Sequence, residues 1–223
     1  MVMATTNIID SMTVEMPKEI KEGDLAGSLI NPFIQGLLKT NKFFNPHYAD
    51  ECLDSVTSCR PDHCTTVTTM RRKKYTNCIG EIEPLMSRMT STNWNLVKLD
   101  RVRVSIFSKI FLDQKKTTHF LSFCTVGPKT TFFISTNQYE GLTVNLELDT
   151  ITLPTTYDNL HKTINEFDFM YDIVSLYQEF CVQTKDMVFN DTTSQSSLAY
   201  DCLLSICSLK TNSRKRSYSR TEQ

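Results

Sequence analysis

The sequence predicts an α+β fold: an antiparallel sheet of about four strands packed by N-terminal and C-terminal helices. Three observations carry that expectation. Apolar and polar residues alternate around Arg101–Ile106 and again over Leu142–Leu148, and a period of two marks a strand with one wet face. Gly127-Pro128-Lys129 stands between two runs rich in aromatic and β-branched residues, a turn signal between strands. After Pro154, Leu160, Ile164, Phe167, Tyr171, Val174, Gln178 and Cys181 step by threes and fours, the stripe of an amphipathic helix.

In chain order, residues 1–22 read as a flexible N-terminal lead, polar and punctuated by Pro17. Residues 23–209 read as a single α+β domain and residues 210–223 as a disordered basic tail. Asp24 caps a helical pattern over 24–39, with Leu25, Leu29, Phe33 and Leu37 in register. Pro32 splits or kinks that helix, because it removes a donor and clashes one turn back. A short helix is expected after Pro46, a β-branched strand over Thr65–Met70, and helical turns around Ile82, Leu85 and Met89. Strands are then expected from Asn95 to Phe111, over 119–126, over 130–136 and over 142–153. Their short connections suit an antiparallel meander. Helices over 158–182 and 196–210 complete the domain.

A chain of 223 residues buries roughly 70% of its unfolded surface, so no disulfide scaffold is required. No apolar run approaches the roughly 18 residues of a membrane span. The opening stretch MVMATTNIIDSMTVEM lacks a basic region and is interrupted by Asp10 and Glu15, so no secretory signal is expected. The eight cysteines therefore read as reduced thiols. With six glycines and neither GxGxxG nor GxxxxGK[ST], no phosphate-cradling loop is expected. No nucleophile elbow or cysteine box is present either. The expectation is a non-enzymatic protein without a cofactor.

The formal net charge of −1 conceals an alternation along the chain. Residues 1–70 carry −4, residues 71–130 carry +8, residues 131–209 carry −9 and residues 210–223 carry +4. Within the basic block, Arg71-Arg72-Lys73-Lys74 form one run followed by Tyr75. Arginine grips phosphate with two parallel bonds, lysine adds a point charge, and an aromatic ring stacks on a base. Arg101 and Arg103 alternate on the expected strand and would share one sheet face beside the run. The seven residues Arg71, Arg72, Lys73, Lys74, Tyr75, Arg101 and Arg103 are the predicted phosphate- or nucleic-acid-binding set. Its premise is that these cations share one exterior surface. In the tail, Arg214, Lys215, Arg216 and Arg220 fit a short nuclear import signal.

His47, Cys52, Cys59, His63, Cys64 and Cys78 offer soft ligands but form no C-x₂-C or H-x₃-H pair, so no metal site is assigned. Glu81 and Glu83 would share a strand face, and Asp168 and Asp172 a helix face. Both pairs read as solvated acids. The acidic block could also meet the basic block of a second copy head to tail.

A compact α+β chain with a flexible front, a basic face and a basic tail resembles the matrix proteins of plant-infecting rhabdoviruses that replicate in the nucleus. The resemblance covers architecture and charge layout. It implies a structural protein that condenses a ribonucleoprotein, lines a membrane and self-associates. The expected role is thus matrix-like: a virion protein that binds nucleic acid, ribonucleoprotein or an acidic membrane surface peripherally. It would form homo-oligomers and reach the host nucleus, as well as the cytoplasm, through an import receptor. The alternative is a small regulatory protein that binds a host factor through its acidic helical face.

Overall fold

The computed structural model describes residues 2–12, 21–39, 44–47, 61–68, 74–84, 90–113, 117–139 and 142–182. Six strands form one sheet in the order β1-β2-β3-β4-β5-β6: Phe44–His47, His63–Thr68, Lys74–Glu83, His119–Val126, Lys129–Tyr139 and Leu142–Thr152. All neighbours run antiparallel except β3 and β4, which are parallel. The fold is α+β with N-terminal and C-terminal helices on the sheet, as the sequence predicts.

Helix α1 (Val2–Ser11) occupies the stretch expected to be a flexible lead. Ala4 and Ile8, one turn apart, are fully buried. Gly36 makes this packing possible, because a Cβ there would overlap the backbone of Ala4. Helices α2 (Glu22–Leu25) and α3 (Asn31–Leu38) are joined by a π-helical turn, Ala26–Ile30, with helical backbone at both junctions. The wider turn lies directly before Pro32, where an α-helical carbonyl would meet the proline ring. Pro32 therefore neither splits nor ends the helix.

The largest departure from expectation is α4 (Ser91–Asp113), a 23-residue helix in place of the strand that the alternation predicts. Val97, Val104, Phe107 and Phe111 are buried at helical spacing, whereas Val102 is 46% exposed. The alternation of Val102, Val104 and Ile106 is incidental to this longer period. Thr90 caps the helix: its hydroxyl accepts from the Asn93 N–H at 3.3 Å, and its own N–H donates to Asn93 Oδ1 at 3.0 Å. This is the reciprocal geometry of a capping box. As a crossover between parallel strands, α4 replaces the short connection of a meander. The helical turns expected around Ile82 give way to β3, which runs to Glu83; Leu85 and Met89 lie outside the described residues.

The sheet separates two cores. On one face α4 packs on β3, β4 and β5, enclosing Cys64, Ile79, Val104, Phe107, Ile110, Phe120 and Phe133. The other face is covered by α1, α3 and the C-terminal helix. That last element is 3₁₀-helical over Tyr157–Glu166, α-helical over Phe167–Leu176 (α5) and π-helical over Tyr177–Cys181. Met170, Ile173, Tyr177 and Cys181 face inward, and Asp168 and Asp172 face solvent. The two sheet edges differ. β1 has four residues, one of them Pro46, while β6 has eleven.

The predicted helices after Pro46 and over 196–210, and the tail 210–223, lie outside the described residues.

Candidate functional site

The predicted binding set does not form one surface. Lys74 opens β3 opposite Thr68, while Arg71, Arg72 and Lys73 lie outside the described residues. Tyr75 is 5% exposed and belongs to the core beneath the N-terminal helices. It is a packing residue and presents no ring to a base. Arg101 and Arg103 sit on α4, so they share no sheet face. Arg101 is half-exposed, lies 3.6 Å from Glu147 and stacks over Phe133 at 5.8 Å. Arg214, Lys215, Arg216 and Arg220 lie outside the described residues.

Arg103 is buried between α4 and the sheet. Its guanidinium donates to Glu81 Oε2 at 2.8 Å and to Asp100 Oδ1 at 3.4 Å, and lies 5.7 Å from the centre of the Phe107 ring. Glu81, Asp100 and Arg103 are each under 9% exposed, and Glu83 joins them below α4 at 8%. The expectation that Glu81 and Glu83 share a strand face holds. The expectation that they are solvated does not, because the crossover helix lies on top of them. Three charges out of water are costly unless they satisfy one another. The triad therefore fixes the angle of α4 on β3 and is closed to an outside anion.

The opposite face uses neutral groups. His63 Nδ1 donates to Asn31 Oδ1 at 2.7 Å, and the Thr65 hydroxyl lies 3.2 Å from Nε2, which ties α3 to β2. His63 stands opposite Gly80 on β3. A side chain at Gly80 would overlap the Phe123 ring, which itself contacts His63 at 5.3 Å between centres. A bulge in β3 leaves Asn77 unmatched between Thr65 and Thr66. A bulge re-aims its side chain, and Asn77 accepts from Tyr177 Oη at 2.8 Å while donating to the Cys181 carbonyl at 3.1 Å. Burial raises the Cys78 thiol well above its ordinary range, and the neighbouring Cys181 raises it further. Tyr177 is raised by burial first and by both cysteines next. These thiols stay protonated and unreactive at neutral pH.

A shared zinc among the suspected ligands is not built. His63 belongs to the core under α3, whereas Cys64, its neighbour in β2, points into the core under α4. Among the described residues no group of three or more His, Cys, Asp or Glu could hold a metal ion. Cys52 and Cys59 lie outside them.

Two exposed features lie along the C-terminal helical element. A cleft of about 490 Å³ lies between the β4–β5 turn and the 3₁₀ segment, lined by Thr152, Asn159, Lys162, Asn165 and Glu166 among others. Pro128, Leu153 and Pro154 add an apolar wall to these polar residues. The outer surface of the C-terminal helix exposes Ile164 (63%) and Tyr171 (61%) beside Asp168 and Asp172. No helix among the described residues is long and apolar enough to cross a membrane. Comparison of the chain with protein-family models, with curated proteins and with solved structures gives no match.

Proposed function

We propose that the chain is a non-enzymatic structural protein that binds a polyanion at the end of the sheet where β3 and β4 begin. One observation carries this reading. Parallel pairing sets Cys78 opposite Leu121. The ladder begins at that pair, so β3 and β4 are entered from the same end of the sheet. The residues shortly before the two strands in the sequence are Arg71-Arg72-Lys73 and Lys115-Lys116. Arg101 and Arg103 are no part of this reading.

The attraction is counterion release from phosphates, with little base readout. On sequence grounds the role is matrix-like and includes self-association and nuclear import through Arg214, Lys215, Arg216 and Arg220. The test is a salt titration of binding to single-stranded RNA and, separately, to anionic vesicles. Binding is expected to weaken log-linearly with salt. Replacing Arg71–Lys74 with serine, or Lys115 and Lys116 with serine, should each flatten the slope, by about 0.7 for each phosphate no longer neutralised on single-stranded RNA. Absence of binding at low salt, or a slope unchanged in both variants, would sink the reading. The vesicle arm decides between nucleic acid and lipid as the polyanion.

A second reading is favoured by the solvent-facing Asp168 and Asp172 with Tyr171 between them. That surface fits a basic protein partner, and charge reversal at both aspartates would abolish such a contact without altering RNA binding.

A further inference from the structure

We propose that β6 is the docking edge for a second copy of this chain, the two β6 strands pairing antiparallel about a two-fold axis at Val144. The inference deepens the self-association included in the proposed role and names its surface.

β6 is the last strand of the sheet and, among the described residues, is paired only with β5. Its eleven residues contain no proline. A strand in that position presents a row of backbone donors and acceptors to any chain that can match them. Its side chains are exposed where a covered strand would bury them: Leu142 is 57% and Leu146 53% exposed. Val144 and Leu146 stand opposite Thr136 and Ile134 of β5. Leu142 stands opposite Tyr139, across a second irregularity between Thr136 and Tyr139 of β5, and its two-residue spacing from Val144 along β6 sets it on the same face.

The charge pattern selects the occupant and the register. From Leu142 to Leu146 the strand reads LTVNL, uncharged and alternating identically in both directions. Glu147 and Asp149 follow, with a bulge between the pairs Phe132↔Asp149 and Phe133↔Glu147. A two-fold axis at Glu147 would set Glu147 against itself. An axis at Leu148 would set Glu147 against Asp149, and like charges directly opposite are destabilising. With the axis at Val144, Leu142 faces Leu146 twice, Thr143 faces Asn145 twice and Val144 faces itself. Both acids then lie beyond the uncharged ladder, and the bulge bends the remainder of the strand away. An uncharged segment that alternates alike in both directions, bracketed by Glu140 and Glu147, pairs with itself about Val144 without setting acid directly against acid, and so suits a second copy of the chain. The contact is isologous and closes on two chains. This differs from the head-to-tail contact that charge alternation suggests.

An interface of this length belongs to the small, weak class, so association should follow concentration. The full chain is measured by sedimentation equilibrium from about 1 μM to about 1 mM, a range that spans weak homodimers. The expected result is a mass that climbs from one chain to two. Leu142→Lys and Leu146→Glu, each at a position more than half exposed, should each raise the dissociation constant at least about tenfold. Combined in one chain they should restore dimerisation, because the new lysine and glutamate face each other across the axis. That rescue is specific to this register. Thermal melts of the three variants matching the parent establish that folding is intact. A chain that stays single throughout, a dimer indifferent to either single substitution, or a double variant no better than the singles would each overturn the proposal. Neither RNA nor vesicles enter the measurement, so polyanion binding and self-pairing can fail separately.

Discussion

The two faces of the sheet solve the same packing problem with different chemistry. Beneath α4 an arginine and two carboxylates lie buried within one hydrogen-bonded group. Beneath the N-terminal and C-terminal helices, the polar links are neutral: an imidazole with an amide, and an amide with a phenol. A buried ionic group is weak evidence of stability, yet it is strongly position-specific, because removing one member strands the others. Neutral links cost less when one is removed. The comparison teaches that α4, which among the described residues has no second helix beside it on its face of the sheet, is oriented by charge. The helices of the other face are held by shape.

The comparison breaks most sharply at Arg103. Arg103→Ala should cost about 3–5 kcal/mol of unfolding free energy, since Glu81 and Asp100 stay buried without the guanidinium. Replacing all three by Leu, Leu and Met should restore most of that stability, as read by urea denaturation. If the triple variant were as unstable as the single, the triad would be more than an orienting device. On the neutral face, Gly80→Ala should cost about 1–3 kcal/mol through overlap with Phe123. Tyr177→Phe should cost about 1–2 kcal/mol by leaving Asn77 Oδ1 without its donor. Both are read from the same denaturation curves.

The same face should be sensitive to alkali. Cys78, Cys181 and Tyr177 are raised in the fold above ordinary values of 9.0, 9.0 and 10.0, chiefly by burial. Their unfolded forms therefore release protons first. The stability they contribute is complete below pH 9.0 and is lost as pH rises from there towards the folded values. Thermal midpoints should fall above that pH, and less steeply in Cys78→Ala. The smallest effect belongs to the exposed pair. Arg101→Ala should cost under about 1 kcal/mol, because the Arg101–Glu147 contact lies in water and salt screens it.

How much of this is legible in the sequence depends on the range of the interaction. β4, β5 and β6 fall where expected because their turn residues and side-chain alternation are local. The C-terminal helix is likewise announced by its apolar stripe. α4 passes for a strand because Arg101–Ile106 satisfies a two-residue period within a longer helical one. The reciprocal cap of Thr90 and Asn93 is the signal against it. α1 is hidden because its burial rests on Gly36, far along the chain. The Arg103–Glu81 pair spans 22 residues and a change of element. It cannot be found without knowing that β3 and β4 run parallel. That same pairing underlies the polyanion site proposed above, while it is the helical form of α4 that separates Arg101 and Arg103 from a common sheet face.

The unequal edges of the sheet bear on stoichiometry. At β1 the ladder has four residues, and Pro46 has no amide hydrogen to offer a newcomer. Among the described residues the two borders of the sheet are therefore unequal hosts for an added strand. Under the pairing proposed for β6, the two-fold contact uses up the longer border of both copies and leaves only the short, proline-bearing one.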